Sequence, residues 1–186
     1  MKILKYLLIG LFILTVVGII FKGSIYRTSV NYHLVGIRPH YSATNKQLTE
    51  LIENKTVEET MPEIKTIIQL ALSITSEQLV FTSDHNDTDP NQLILSNKAH
   101  CVGYAAFFTT TMHYLLKKYG LENKWVVIPR VGQLHVMGIN IHPCFHSSFF
   151  KDHDFVTIEN KSTGEIFAVD PTLNDYFFID FVTYSK

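Results

Sequence analysis

The chain reads as an α+β protein, helices first and an antiparallel sheet after, behind an N-terminal transmembrane helix, and three features of the sequence carry that expectation. Up to Gly120 apolar residues recur at steps of three and four, the spacing of one helix face. Beyond Gly120 they fall into β-rich runs bounded by turn residues. Ahead of both, Ile3–Phe21 is an apolar run with Lys5 as its only charge.

The 186 residues hold one ordinary domain plus an appendage, and 46% hydrophobic content is enough for a sizeable core. A net charge of −1 leaves no basic field, which argues against a nucleic-acid partner. The two cysteines, Cys101 and Cys144, allow at most one disulfide and make no stapled scaffold.

In chain order, Ile3–Phe21 would span ~28 Å as a helix, nearly a bilayer core. No small-x-small cleavage site follows it, so residues 1–23 are expected to be an uncleaved membrane anchor rather than a signal peptide. Its short N-terminus favours an inside start, which places the domain outside the cytoplasm. Residues 24–43 read as a tether with one short strand, and 44–186 as the folded domain. Thr44–Asn54 and Val57–Ser73 are expected as helices, the second with Pro62 near its first turn and Ile64, Ile67, Ile68, Ala71 and Leu72 as its stripe. Ser83–Asn91 is a polar loop; Asp84, Asp87 and Asp89 lack the glycine and glutamate of a calcium loop.

Ser96–Gly120 is the stretch around which the rest is arranged. From Cys101 onward Ala105, Phe108, Met112, Leu115 and Tyr119 mark a helix face, Lys117 and Lys118 suit its C-terminal dipole, and Gly120 ends it. Cys101 thus falls in the first turn, where unpaired N–H groups and the dipole favour a thiolate. Gly103 in that turn implies a close neighbour. After Gly120, Lys124–Val131 and Leu134–Ile141 are expected as strands of a hairpin around Gly132-Gln133. His135 then starts an apolar row. Asp154–Asn160 and Glu165–Asp170 form a second hairpin, ended by Pro171.

Singly, Cys101 suits a small buried hydrophobe, His135 a core residue and Asp170 a turn. Together, a cysteine opening a helix, a histidine opening a strand and an aspartate closing one are what a thiol nucleophile, its base and its orienter require. On Cys101-Val102-Gly103-Tyr104-Ala105, Leu134-His135-Val136-Met137 and Val169-Asp170-Pro171-Thr172, roughly Pro62–Leu173 resembles the transglutaminase-like superfamily, a papain-like group. Two departures are Met137, where an aromatic is common, and the lengthened stretch Ile141–His153.

The resemblance implies a Cys101 thioester formed from an amide, with His135 as base, Asp170 as orienter, a protein or peptide substrate and no cofactor. Water as acceptor makes a peptidase or amidase; an amine makes a transglutaminase. The Cys101 backbone N–H is the natural oxyanion donor, with Gln92 and Asn97 as side-chain candidates. For Asp170 to reach His135, Glu165–Asp170 must neighbour Leu134–Ile141, with Asp154–Asn160 on its far side. Two alternatives stand beside this: an inactive binding module of the same fold, and a metal site on the His142–His153 loop using His142, Cys144 and His146, with Asp152 and His153 close by in sequence.

Overall fold

The computed structural model describes residues 2–56 and 62–186, and they form a mixed α+β fold, helices dominating the first half and strands the second. Helix α1 (Lys2–Ile20) turns sharply into α2 (Lys22–Ser29). From Tyr6 to Ile20 the large apolar side chains of α1 lie exposed. Among the described residues no single helix is long and apolar enough to cross a membrane; Lys5–Ile20 and Lys22–Ser29 meet that requirement only as a pair, bent by 72°.

Residues 24–43, expected as a tether, contribute more than that. Val30–Ile37 is strand β1, paired antiparallel to β4 (Trp125–Val136) and parallel to β8 (Thr183–Ser185). Its Tyr32 is fully buried. Helices α3 (Lys46–Lys55) and α4 (Ile64–Gln78) come next. The expected helix Val57–Ser73 begins outside the described residues, since Val57–Met61 lie there, and Pro62 precedes α4 instead of sitting in its first turn.

A short parallel ribbon, β2 (Val80–Phe81) on β3 (Lys98–Ala99), brackets α5 (Pro90–Ser96) and runs directly into α6 (Cys101–Lys118). The expected stripe on α6 is too narrow: Tyr104, Phe107 and Leu116 are buried along with Phe108, Met112 and Leu115. The helix is enclosed because α4 covers one side, through Ile67, Ile68, Ala71 and Leu72, while Val127, Val156, Ile158 and Val169 of the sheet cover another. Gly120, at φ 67°, ends it as the sequence suggests.

The sheet order is β7-β6-β4-β1-β8, with β6 (His153–Asn160), β7 (Ile166–Val169) and the short β5 (Ile139–Asn140) on β4. Two expectations need correction. Gly132-Gln133 is no hairpin turn but the middle of β4, where a Cβ on Gly132 would lie 2.9 Å from the Phe155 ring; glycine serves close packing there. The reversal comes at Met137-Gly138, both with positive φ (50° and 82°), as tight hairpin turns require. Nor does the Glu165–Asp170 segment neighbour β4. Strand β6 lies between them, paired with β4 from Trp125↔Asn160 to Gly132↔His153 and with β7 from Val156↔Val169 to Glu159↔Ile166.

Asp154, fully buried, is held by Arg38 just beyond β1 through a fork of two bonds, Nε to Oδ2 at 3.0 Å and Nη2 to Oδ1 at 3.1 Å. Burial pushes its carboxyl up and Arg38 partly offsets this. Arg38→Ala should therefore lower stability by on the order of 3 kcal/mol at neutral pH, because it strands a buried charge. With Asp154 raised above its unfolded value, stability it costs as an anion returns on protonation. The deficit of the variant, followed by urea denaturation, should shrink as pH falls through the Asp154 titration.

Candidate active site

Cys101 is the first residue of α6, preceded by His100 in extended conformation at the N-cap. The ribbon fixes this entry: Val80 N–H donates to Asn97 O at 2.7 Å and Thr82 N–H to Ala99 O at 2.9 Å. Gly103 admits the ribbon closely, since a Cβ there would stand 2.8 Å from Ala99 Cβ. The thiol is thereby buried at the end of the sheet where β6 starts.

There it meets a histidine that the sequence suggested only as a neighbour of possible metal ligands. The side chains of His153 and His100 and the Asp154 backbone stand close enough to the Cys101 thiol to shift its titration. His153 Nε2 lies 2.7 Å from Asp170 Oδ2, so the ring nitrogen left for sulfur is Nδ1. Asp170, just past β7 and buried, also accepts from the Tyr32 hydroxyl on Oδ2 at 2.7 Å and from Leu173 N–H on Oδ1 at 3.0 Å. Tyr26 of α2 bonds the Tyr32 hydroxyl at 2.8 Å, extending the chain of donors back toward α1.

His135 is elsewhere. It lies on β4 opposite Asn31, its ring stacked on His33 at 3.7 Å between centroids. Strand alternation puts it on the opposite face from Leu134, which packs with Tyr32 and Phe155. The expected His135–Asp170 bond is therefore replaced by one from His153. Gln92 and Asn97 are exposed on α5 and at its C-cap, where Asn97 takes a left-handed conformation, and neither is among the bonding partners of the thiol.

The suggested metal ligands do not converge either. His142 is buried with both ring nitrogens engaged: Nε2 accepts from Leu134 N–H at 2.8 Å, which makes Nδ1 the donor to Phe150 O. Cys144 and His146 are exposed, and no cluster of three possible metal ligands occurs among the described residues. Both cysteines are free thiols.

The electrostatics favour an ion pair. Burial pushes the Cys101 thiol up, but the bonds from His100 and His153, the charge on His153 and the Asp154 N–H outweigh it and lower the thiol to about 7. Burial opposes charge on His153 as well, yet the Asp170 carboxylate, with a further contribution from Cys101, raises it well above the ordinary histidine value. Asp170 is held below the usual carboxylate range against its own burial by His153, Leu173 N–H and Tyr32. A thiolate beside an imidazolium, oriented by a carboxylate, is the ground state of a cysteine nucleophile.

Besides His153, sequence reading missed His100 and Tyr32. For His153 the signal was present: it opens the alternating run His153–Asn160, whose hairpin partner ends at Asp170. No protein-family model matches the chain, and no curated protein or solved structure matches it, so its chemistry rests on the site itself.

Alkylation separates the two histidines. The rate of Cys101 carboxamidomethylation by iodoacetamide should follow a midpoint near pH 7. His153→Ala should move that midpoint up toward the ordinary thiol range, whereas His135→Ala should leave it in place.

Proposed function

We propose that this chain is a thiol-dependent acyl-transfer enzyme of papain-like, transglutaminase-like type that acts on amides through a Cys101 thioester, with His153 in the role first expected of His135. The observation that carries this is the Cys101–His153–Asp170 arrangement, in which the base lies beside the nucleophile and the carboxylate holds the base at 2.7 Å. The lowered thiol favours an active site over an inactive binding module.

The Cys101 thiolate attacks the amide carbonyl carbon, and the carbonyl electron pair moves onto oxygen. The backbone N–H of Cys101, at a helix start without an intrahelical acceptor, and the His100 side chain beside the thiol are the groups suited to receive that oxyanion. The C–N bond then breaks while His153 Nδ1–H gives its proton to the departing nitrogen. An amine leaves and a thioester remains on Cys101. Water, giving its proton to His153, hydrolyses the thioester and regenerates the thiolate; an amine in its place forms a new amide. Asp170 stabilises the imidazolium throughout.

Incubation with peptides and subsequent mass spectrometry should trap an acyl group on Cys101. Asp170→Asn should lower kcat by about 10³–10⁴-fold with the fold retained, since the imidazolium loses its orienter. His153→Ala should remove turnover, and His135→Ala should keep it. Full activity in His153→Ala would sink the assignment.

We also propose that the N-terminal helices hold the domain to a membrane from outside the cytoplasm, as supported by the exposed apolar side chains of α1 and its lack of a polar face. The full chain should partition with membranes and resist extraction by high salt and alkali. A soluble mature chain beginning near Lys22 would overturn this.

A further inference from the structure

The catalytic histidine forms one wall of a cavity of about 290 Å³, near the lower end of the size range of small-ligand pockets. His153 and Asp170 line it, and Cys101 does not. Its other walls are almost wholly apolar and include Phe81, Leu134, Leu173 and Phe177. Four of the lining residues carry hydroxyls, but those of Tyr26, Tyr32 and Tyr176 are engaged in hydrogen bonds within the protein and that of Thr172 is buried away from the opening, so the surface offered to a ligand is apolar.

The proton decides which end of a substrate belongs there. In acyl transfer the carbonyl carbon is bonded to sulfur, whereas the departing nitrogen must lie against the histidine that protonates it. A cavity walled by the histidine but not by the cysteine therefore receives the part of the substrate beyond the nitrogen. A separate cavity of about 390 Å³ is lined by Val102, Arg38 and Asp154 and has a different, charged character.

We propose, resting on the acyl-transfer reading above, that the cavity beside His153 is the amine-side subsite and that the substrate is a peptide carrying a large apolar residue immediately after the scissile bond. The enzyme thus acts before aromatic or branched aliphatic residues, and a leaving group of a single small amine leaves the subsite unused.

The test uses the full-length chain, a randomised synthetic peptide mixture and sequencing of the new N-termini by mass spectrometry, with Cys101→Ser as the blank. Cys101-dependent N-termini should be enriched at least about tenfold in Phe, Tyr, Leu and Ile over Asp, Glu and Gly, the discrimination an apolar pocket provides. Phe177→Asp, at an exposed ring on the cavity wall, should erode that enrichment. Cys101-dependent cleavage with no apolar enrichment would overturn the subsite while leaving the acyl-transfer chemistry standing. No cleavage, together with no acyl group on Cys101, would overturn both.

Discussion

The bond between Asp170 and His153 is the contact on which the site depends, because it joins two buried groups that would each resist ionisation alone. Taking a carboxylate out of water is unfavourable by several kcal/mol unless charge and hydrogen bonds replace the lost solvation. Here they do, through His153 on one side and through Tyr32 and the Leu173 N–H on the others. The imidazolium so stabilised is in turn what permits a thiolate in a buried position. Each charge is tolerable only because the next is present. Loss of any one of them changes the protonation of the rest, so the three groups titrate as one system.

Distant parts of the chain converge to make that possible. Tyr32 comes from β1, two strands away from β6 in the sheet order, and reaches Asp170 over the cluster it forms with Phe155. Residues 24–43 are therefore part of the fold that builds the site as well as a connection to α1. Helix α6 is fixed at its start by the ribbon and at Tyr104, whose hydroxyl bonds Asp175 of α7 (Pro171–Phe177) at 2.7 Å and Leu79 O at 3.1 Å. The helix that carries Cys101 is thus tied to the one that follows Asp170.

The helix around Cys101 and the strand end at Asp170 were legible because local signals agreed there: apolar spacing, a terminal glycine, and proline after aspartate. The histidine was not, because His135 and His153 both precede β-rich runs and local pattern cannot rank them. The ranking lies in strand order. With β6 between β4 and β7, antiparallel pairing brings the start of β6 beside the end of β7, which puts His153 near Asp170 and leaves His135 on another face. The geometric requirement was stated correctly from sequence; it was applied to a strand order the chain does not adopt. Gly132 encouraged the error, since a glycine needed for Phe155 looks in sequence like a glycine needed for a turn.

The stretch Ile141–His153, taken from sequence as an insertion between histidine and aspartate, instead delivers the histidine at its end. It also carries Phe149, which meets His100 edge-on at 6.4 Å between centroids and Phe81 at 6.3 Å. An aromatic ring in that position takes space that water would otherwise fill next to a residue bonded to the thiol. Attraction between thiolate and imidazolium strengthens as the local dielectric falls. His142 anchors the same segment by bonding Leu134 N–H and Phe150 O, so the histidine that resembled a metal ligand acts as a strut. Phe149 and His142 of this loop thus each serve the region around the site, one by packing on His100 and the other by fixing the loop to β4.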